Sequence, residues 1–271
     1  MSETRVFEVT AGTEEETALA ALARISGLPK ARIKDAMNKG AVWLRRGRSE
    51  KRIRRSTFVP RAGDVLSLHY NADILARPAP EARCVADERS YSVWDKPAGL
   101  LAQGTREGDH CSLLRQVEQQ LNREVFLVHR LDREASGLML VAHSGKAAAA
   151  LSALFADTGS DRVIHKLYRV EVKGALPAEG SFDAPLDGKA SLTRFRCLEQ
   201  NTRRGSSVAE VGLVTGRKHQ LRRHFAAAGF PVLGDPRYGE NNTDARGLQL
   251  RAVQLRFTCP LSGRARDYRA D

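Results

Sequence analysis

The sequence predicts an α+β protein in two parts, and three observations carry that expectation. Short apolar runs bounded by polar and glycine signals recur along the chain as strand candidates. Between them lie a few segments whose apolar residues fall at helical spacing. A composition shift at Arg77-Pro78-Ala79-Pro80-Glu81-Ala82 separates a strongly basic first part from a longer second one. The resulting boundaries are a small basic domain over residues 1–76, a proline-stiffened linker over 77–86, and a larger domain over 87–271.

Within the first part, Thr13-Glu14-Glu15-Glu16 fits a capping box, and Leu19, Leu22 and Ala23 follow at helical spacing, so a helix ending near Gly27 is expected. Pro29 opens a second helix with Ile33, Ala36 and Met37 as its apolar stripe and Gly40 as its stop. Strands are expected around Val42 and Trp43, and at Val65-Leu66-Ser67-Leu68-His69-Tyr70 after the Ala62-Gly63-Asp64 turn. Charge concentrates here. Residues 30–61 hold twelve basic and two acidic side chains, a net of +10 from 12 minus 2. Lys30, Arg32, Lys34, Arg45, Arg46, Arg48, Lys51, Arg52, Arg54 and Arg55 form a candidate RNA-binding patch. The plainer alternative is a solvated basic loop, with Trp43 and Phe58 serving the core.

The whole chain carries 44 Lys and Arg against 32 Asp and Glu, a net of +12, which suits a polyanionic partner, nucleic acid first. Cys84, Cys111, Cys197 and Cys259 lie far apart without C-x-x-C spacing, so buried reduced thiols are expected, with no metal and no cofactor. Met1-Ser2-Glu3-Thr4 does not begin a signal peptide, and no apolar run reaches the roughly 18 residues of a membrane span. A cytoplasmic monomer with no membrane association is expected.

In the larger domain, Tyr91-Ser92-Val93-Trp94 alternates like a strand, Pro97 and Gly99 force a loop, Lys96 reads as structural, and residues 113–121 are helix-like. The stretch His129-Arg130-Leu131-Asp132-Arg133-Glu134-Ala135-Ser136-Gly137 lies between Val125-Phe126-Leu127-Val128 and Leu138-Met139-Leu140-Val141-Ala142, two short buried strands. It is therefore a turn that holds Asp132, flanked by arginines, at the rim of a sheet. From the residues alone, such an Asp is more often a solvated ion pair contributing under about 1 kcal/mol. Residues 146–155 form an alanine-rich helix expected to pack on the sheet. In Tyr168-Arg169-Val170-Glu171-Val172-Lys173, alternation turns Tyr168 toward the covered face, where a tyrosine commonly serves the core. A strand at Ala209-Glu210-Val211-Gly212-Leu213-Val214 leads through Thr215-Gly216 into a basic helix with Leu221, Phe225 and Ala228 as its buried stripe, ended by Gly229 and Pro231. His219 and Gln220 are either ordinary helix-start groups or substrate ligands. Arg217, Lys218 and Arg223 are either a solvated face or phosphate contacts.

The nine residues around Asp132 resemble the signature of the RluA-like pseudouridine synthases, His-Arg-Leu-Asp-x-x-Thr-Ser-Gly, with Ala135 in place of the common Thr. Further blocks follow in the family's order: Lys166-Leu167-Tyr168, Gly216-Arg217-Lys218-His219-Gln220-Leu221-Arg222 and Gly234-Asp235-Pro236-Arg237-Tyr238-Gly239. Asp95-Lys96-Pro97-Ala98-Gly99-Leu100 matches the start of that family's catalytic domain, so the resemblance spans residues 90–257. It implies a mixed, mostly antiparallel sheet flanked by helices, and isomerisation of uridine to pseudouridine in structured RNA, rRNA before tRNA. It also implies Asp132, Tyr168 and Arg222 as catalytic residues, and Arg130, Arg133, Arg217, His219, Gln220 and Leu250 as substrate-binding ones. Arg251 departs from the family's usual histidine. The helix pair and basic hairpin of the first part resemble the small αL RNA-binding motif found in many family members.

Two other classes compete. A nucleoside hydrolase or glycosidase also sets a carboxylate at an anomeric carbon, but ordinarily needs a second one as acid. A non-catalytic RNA-binding protein accounts for the charge but not for Asp132 and Tyr168.

Overall fold

The computed structural model describes residues 3–13, 15–156 and 164–270. They fall into two units: Met1–Ala79 with Gln103–Gln116, and Pro80–Ala102 with Val117–Asp271.

The first unit is a four-stranded antiparallel sheet with helices beside it. Its strands are β1 (Arg5–Thr10), β2 (Val42–Arg46), β3 (Ser49–Arg52) and β4 (Val65–Tyr70), in the order β1-β4-β2-β3. Helix α1 (Ala18–Ser26) starts at Thr17, whose hydroxyl accepts the Ala20 N–H at 3.2 Å, and stops at Gly27, left-handed at φ 66°. The capping residue is thus Thr17, not Thr13; Glu14 lies outside the described residues. Helix α2 (Lys30–Asn38) follows Pro29 and buries Ile33, Ala36 and Met37, as its stripe predicts. These side chains join Leu22, Leu44, Leu66 and Leu68 in one core. A short helix, α3 (Ala72–Leu75), is capped by the Asn71 side chain.

A segment distant in sequence completes this unit. Asp109 takes Arg52 at 3.4 Å and Arg54 as ion-pair partners, and the Trp43 indole donates to the Arg106 carbonyl at 3.0 Å. Trp43 also stacks under Arg52, whose guanidinium carbon lies 4.1 Å from the ring centroid. Two arginines of the basic patch are therefore turned inward onto Asp109, and Arg46 makes a bidentate pair with buried Asp64. Arg45 lies 3.7 Å from Glu8. Lys30, Arg32, Lys34, Arg48, Lys51 and Arg55 remain exposed, with no ion pair among the described residues.

The second unit is built on a ten-stranded sheet in the order β10-β11-β12-β9-β13-β8-β6-β5, with β14 beside β13 and β7 beside β8. Its strands are β5 (Arg83–Asp87), β6 (Tyr91–Lys96), β7 (Phe126–Leu127), β8 (Ser136–Ala142), β9 (His165–Lys173), β10 (Glu179–Phe182), β11 (Thr193–Asn201), β12 (Ser206–Leu213), β13 (Leu250–Thr258) and β14 (Ala265–Arg269). The helices are α4 (Leu113–Leu121), α5 (Gly145–Ala156) and α6 (Gln220–Ala227), of which α4 begins in the first unit's segment. Leu151 and Leu154 of α5 pack with Leu138, Leu140 and Phe257 of the sheet.

Every strand pairing here is antiparallel except that of β13 with β8. That parallel contact lasts only two residues, Arg251 opposite Ser136 and Ala252 opposite Gly137. Beyond it β13 turns to β14 and β8 to β7, so the two strands diverge from a short junction. Gly137 makes the junction feasible: at φ 110°, a Cβ there would lie 2.2 Å from the Ala252 carbonyl oxygen. The Asp132 turn ends at this junction.

Several expectations change. The segment expected as linker contains β5, an edge strand with a register shift between Cys84 and Ala86. Ala228 is exposed at the end of α6; the buried face consists of Leu221 and Phe225 with the polar Gln220, Arg222 and His224. The cysteines are free, but only Cys111 and Cys259 are buried, while Cys84 is exposed and Cys197 half-buried. Arg251, in place of the family's histidine, donates to Asp95 at 2.8 Å. Among the described residues no helix is long and apolar enough to cross a membrane.

Candidate active site

The turn before β8 is pinned from several sides. His129 ends the preceding strand region and is stacked on Phe155 at 4.1 Å; its Nε2 accepts the Leu140 N–H at 3.0 Å. Burial pushes its imidazole down to about 3, so the ring is neutral. The Arg133 carbonyl accepts the Gly99 N–H at 2.7 Å. Lys96, fully buried, reaches the same turn, its ammonium donating to the carbonyls of Ala135 at 2.6 Å, Leu100 at 2.8 Å and Pro97 at 3.0 Å, with Arg133 at 3.3 Å.

Burial lowers the Lys96 amine to about 8, the carboxylates of Glu134, Asp132 and Asp95 only partly opposing it. The folded chain then releases this proton near pH 8, whereas an unfolded lysine holds it to about 10.5. Between those values the unfolded state binds more protons, so stability rises with pH. Relative to Lys96→Met, the wild type is expected to gain up to about 3 kcal/mol between pH 8 and pH 10.5. Denaturant titrations of both proteins at the two ends of that window check this, and a constant difference would contradict it.

Asp132 itself is 29% exposed at the side chain, and Arg222 Nη1 donates to its Oδ2 at 2.8 Å. Arg222 projects from α6 and is 2% exposed. Its Nε and Nη2 make a bidentate pair with Asp235, both at 2.7 Å, and the Tyr238 ring covers its guanidinium at 5.3 Å. Burial opposes the Arg222 charge, but the hydrogen bonds it donates to Asp235 and Asp132 outweigh it and raise its pKa. Asp235 is held below the usual carboxylate range: burial pushes it up, and Arg222 with the Arg237 and Tyr238 N–H groups pulls it further down. Gly234 lets that turn close, since at φ 71° a Cβ would meet the Gly247 carbonyl at 2.0 Å.

His219 precedes α6 in a left-handed conformation, φ 52°. Its Nδ1 lies 3.0 Å from the Tyr238 hydroxyl and its Nε2 3.5 Å from Asp132 Oδ1. Burial lowers its pKa, against the pull of Asp132, so the ring is neutral near pH 7. A carboxylate only accepts, so the neutral ring carries its proton on Nε2 and Nδ1 accepts from Tyr238.

Tyr168 of β9 is half-buried opposite Ala252, and burial, then the nearby Asp132 charge, push its phenol up to about 12. These residues line one pocket of about 560 Å³, inside the range of about 300–1,000 Å³ usual for ligand sites. Arg130, Asp132, Tyr168, Arg217, His219, Gln220, Arg222 and Leu250 all line it, with Lys166, Phe155 and Leu213. Arg133 does not: its side chain pairs with Glu134 at 3.2 Å. Gln220 lines the wall with every hydrogen-bonding group occupied, donating to the Leu192 carbonyl and Thr193 hydroxyl and accepting from the Thr215 hydroxyl and Arg217 N–H. Asp132 is the one carboxylate among the described lining residues.

Residues 90–227 match the family described as RNA pseudouridylate synthase. The chain belongs to that family. It is an RluA-like member: the dual-specificity RNA pseudouridine synthase RluA of Vibrio vulnificus is 33% identical over 204 residues, 68% of this chain and 80% of that protein. The ribosomal large subunit pseudouridine synthase D of Zymomonas mobilis is 28% identical across 96% of this chain and 90% of its own length. The human RNA pseudouridylate synthase domain containing 1 structure, 23% identical, shares the fold with a TM-score of 0.61, covering 72% of this chain and 86% of that one. This synthase is therefore an isomerase that converts uridine to pseudouridine in RNA. Sequence reasoning gave Asp235 and Tyr238 no role of their own. The available signal was their place within a block shared with the family.

Proposed function

We propose that Asp132 is the carboxylate that acts at C1′ of a uridine flipped out of its RNA stack. What carries this reading is that Asp132 alone supplies an acid to the pocket, among the described residues, and is held there by a buried arginine at 2.8 Å. In the reaction the N1–C1′ bond breaks, the uracil turns, C5 bonds to C1′, and the C5 proton leaves as N1 gains one. Asp132 either attacks C1′ or removes the C2′ proton, and both routes require its anion. Arg222 orients it. Tyr168 lies against the base, where its ring stacks and its hydroxyl, neutral over the working pH range, serves as a proton donor. A glycosidase mechanism finds no second carboxylate among the described lining residues.

Ribosomal RNA is the proposed substrate, ahead of tRNA, because the match to a large-subunit synthase runs through nearly the whole chain. Asp132→Asn tests the reading, as argued in the Discussion.

The first unit is proposed to hold RNA through its exposed cations. Arg46, Arg52 and Arg54 are already paired with Asp64 or Asp109 and are not counted among them. Replacing Lys30, Arg32 and Lys34 by Gln is expected to weaken RNA binding and lower the log–log salt slope by about 0.7–0.9 for each phosphate no longer neutralised. Titrations at several salt concentrations check this; an unchanged slope would make these lysines and arginine bystanders.

A further inference from the structure

Lys166 sits two residues before Tyr168 on β9, so both side chains leave the same face of the strand and both line the Asp132 pocket. Its ammonium lies 5.8 Å from the centre of the Phe155 ring, beside the backbone of Gly216 at the head of the Gly216-Arg217-Lys218 loop. No hydrogen bond or ion pair reaches it from the described residues. The nearby His129 is neutral and spends its Nε2 on the Leu140 N–H, so it offers no anion. Asp132, the one carboxylate among the described lining residues, is already engaged by Arg222. Burial alone acts on the Lys166 amine, lowering its pKa with no carboxylate to offset it.

Lys166 is a half-buried cation whose partner among the described residues is an aromatic ring, and such a group is ordinarily matched by an anion. Here no such anion stands free among the described residues that line the pocket. RNA entering the pocket brings one kind of fixed anion, the phosphodiester, next to every flipped nucleotide. The neighbouring cations point the same way: Lys218 is exposed, and Arg217 spends only its Nε, on the Ala190 carbonyl at 3.2 Å.

We propose that Lys166 grips a backbone phosphate beside the flipped uridine, making it a substrate-binding residue of this pocket. The proposal rests on the reading of the Asp132 pocket as the uridine site. It makes Lys166 an anchor that seats the nucleotide, distinct from the groups that act on C1′ and the base.

The test separates binding from turnover. Affinity is measured with Asp132→Asn as the parent protein, so that no chemistry intervenes, and with poly(U), which presents a uridine in every register. Adding Lys166→Met is expected to weaken binding roughly tenfold and to lower the salt slope by about 0.7, while Lys166→Arg keeps most of both. With Asp132 present, Lys166→Met is expected to need more ribosomal RNA to reach half-saturation, in proportion to the affinity lost. Unchanged affinity and slope would overturn the proposal, as would normal affinity with a lost saturated rate, which would mean contact with the uracil itself. Lys166→Gln guards against a folding defect of the Met variant. The affinity arm does not depend on turnover, so a failure of the Asp132 assignment shows separately, as activity surviving in Asp132→Asn.

Discussion

Asp132→Asn is expected to lower single-turnover pseudouridine formation by at least about 10³-fold, the upper part of the range for a positioned acid–base group, and more if the carboxylate is the nucleophile. The change keeps shape. An asparagine oxygen still accepts from Arg222 Nη1, so the turn pinned by Lys96, Gly99 and His129 has no reason to move. What is lost is the anion. RNA affinity should stay within about twofold, because Asp132 offers the RNA no positive charge and the exposed cations are untouched. Turnover within tenfold of wild type would remove Asp132 from the mechanism.

Arg222→Met is expected to have the second largest effect, on stability as well as rate. Arg222 bridges Asp132 and Asp235, and the Asp235 side chain is fully buried. A methionine leaves Asp235 as an uncompensated buried charge, a loss of about 3–5 kcal/mol. Stability and catalysis can be separated by pairing Arg222→Met with Asp235→Asn, which keeps an acceptor for the Arg237 and Tyr238 N–H groups. The double variant should recover much of the melting temperature and remain at least about 10²-fold slow, because nothing then orients Asp132. Arg222→Lys should fall between, since an ammonium supplies charge but cannot span both carboxylates with a planar fork. If Arg222 were a phosphate clamp, its loss would weaken RNA binding and spare saturated turnover. All three guanidinium nitrogens are committed to carboxylates, which argues for orientation.

Local signals were legible wherever neighbours in sequence are neighbours in space. The stripe of α2, the glycine stop at Gly27, the bounds of α4 and the alternation of β9 all follow from periodicity and backbone preference, whereas α1 buries Ala18, Ala21 and Leu22, with the expected Leu19 and Ala23 only half-buried. Arg5–Thr10 gave little signal because most of its side chains are exposed, and only β4 shows that it is a strand. β5 was hidden by its edge position and bulge. The misplaced Ala228 shows a periodic stripe continued one turn too far, past the helix end.

The site was legible in part, and by resemblance more than by pattern. Ninety residues separate Asp132 from Arg222, and no local rule brings them within 2.8 Å of each other. Gln220 looked available to substrate because a sequence cannot show that Thr193, Leu192, Thr215 and Arg217 consume its amide. Arg46, Arg52 and Arg54 looked like free positive charge for the same reason. Their carboxylate partners, Asp64 and Asp109, lie outside the local window in which charge was counted.

The most direct test of the account is to incubate the purified protein with ribosomal RNA tritiated at uridine C5. Forming the C5–C1′ bond expels that hydrogen, so the account predicts tritium release into water. A parallel unlabelled sample should keep its mass and gain carbodiimide-reactive uridines, and Asp132→Asn should release nothing above background. Appearance of free uracil would contradict the account in favour of a hydrolase, and RNA bound with its tritium retained would leave only a binding protein.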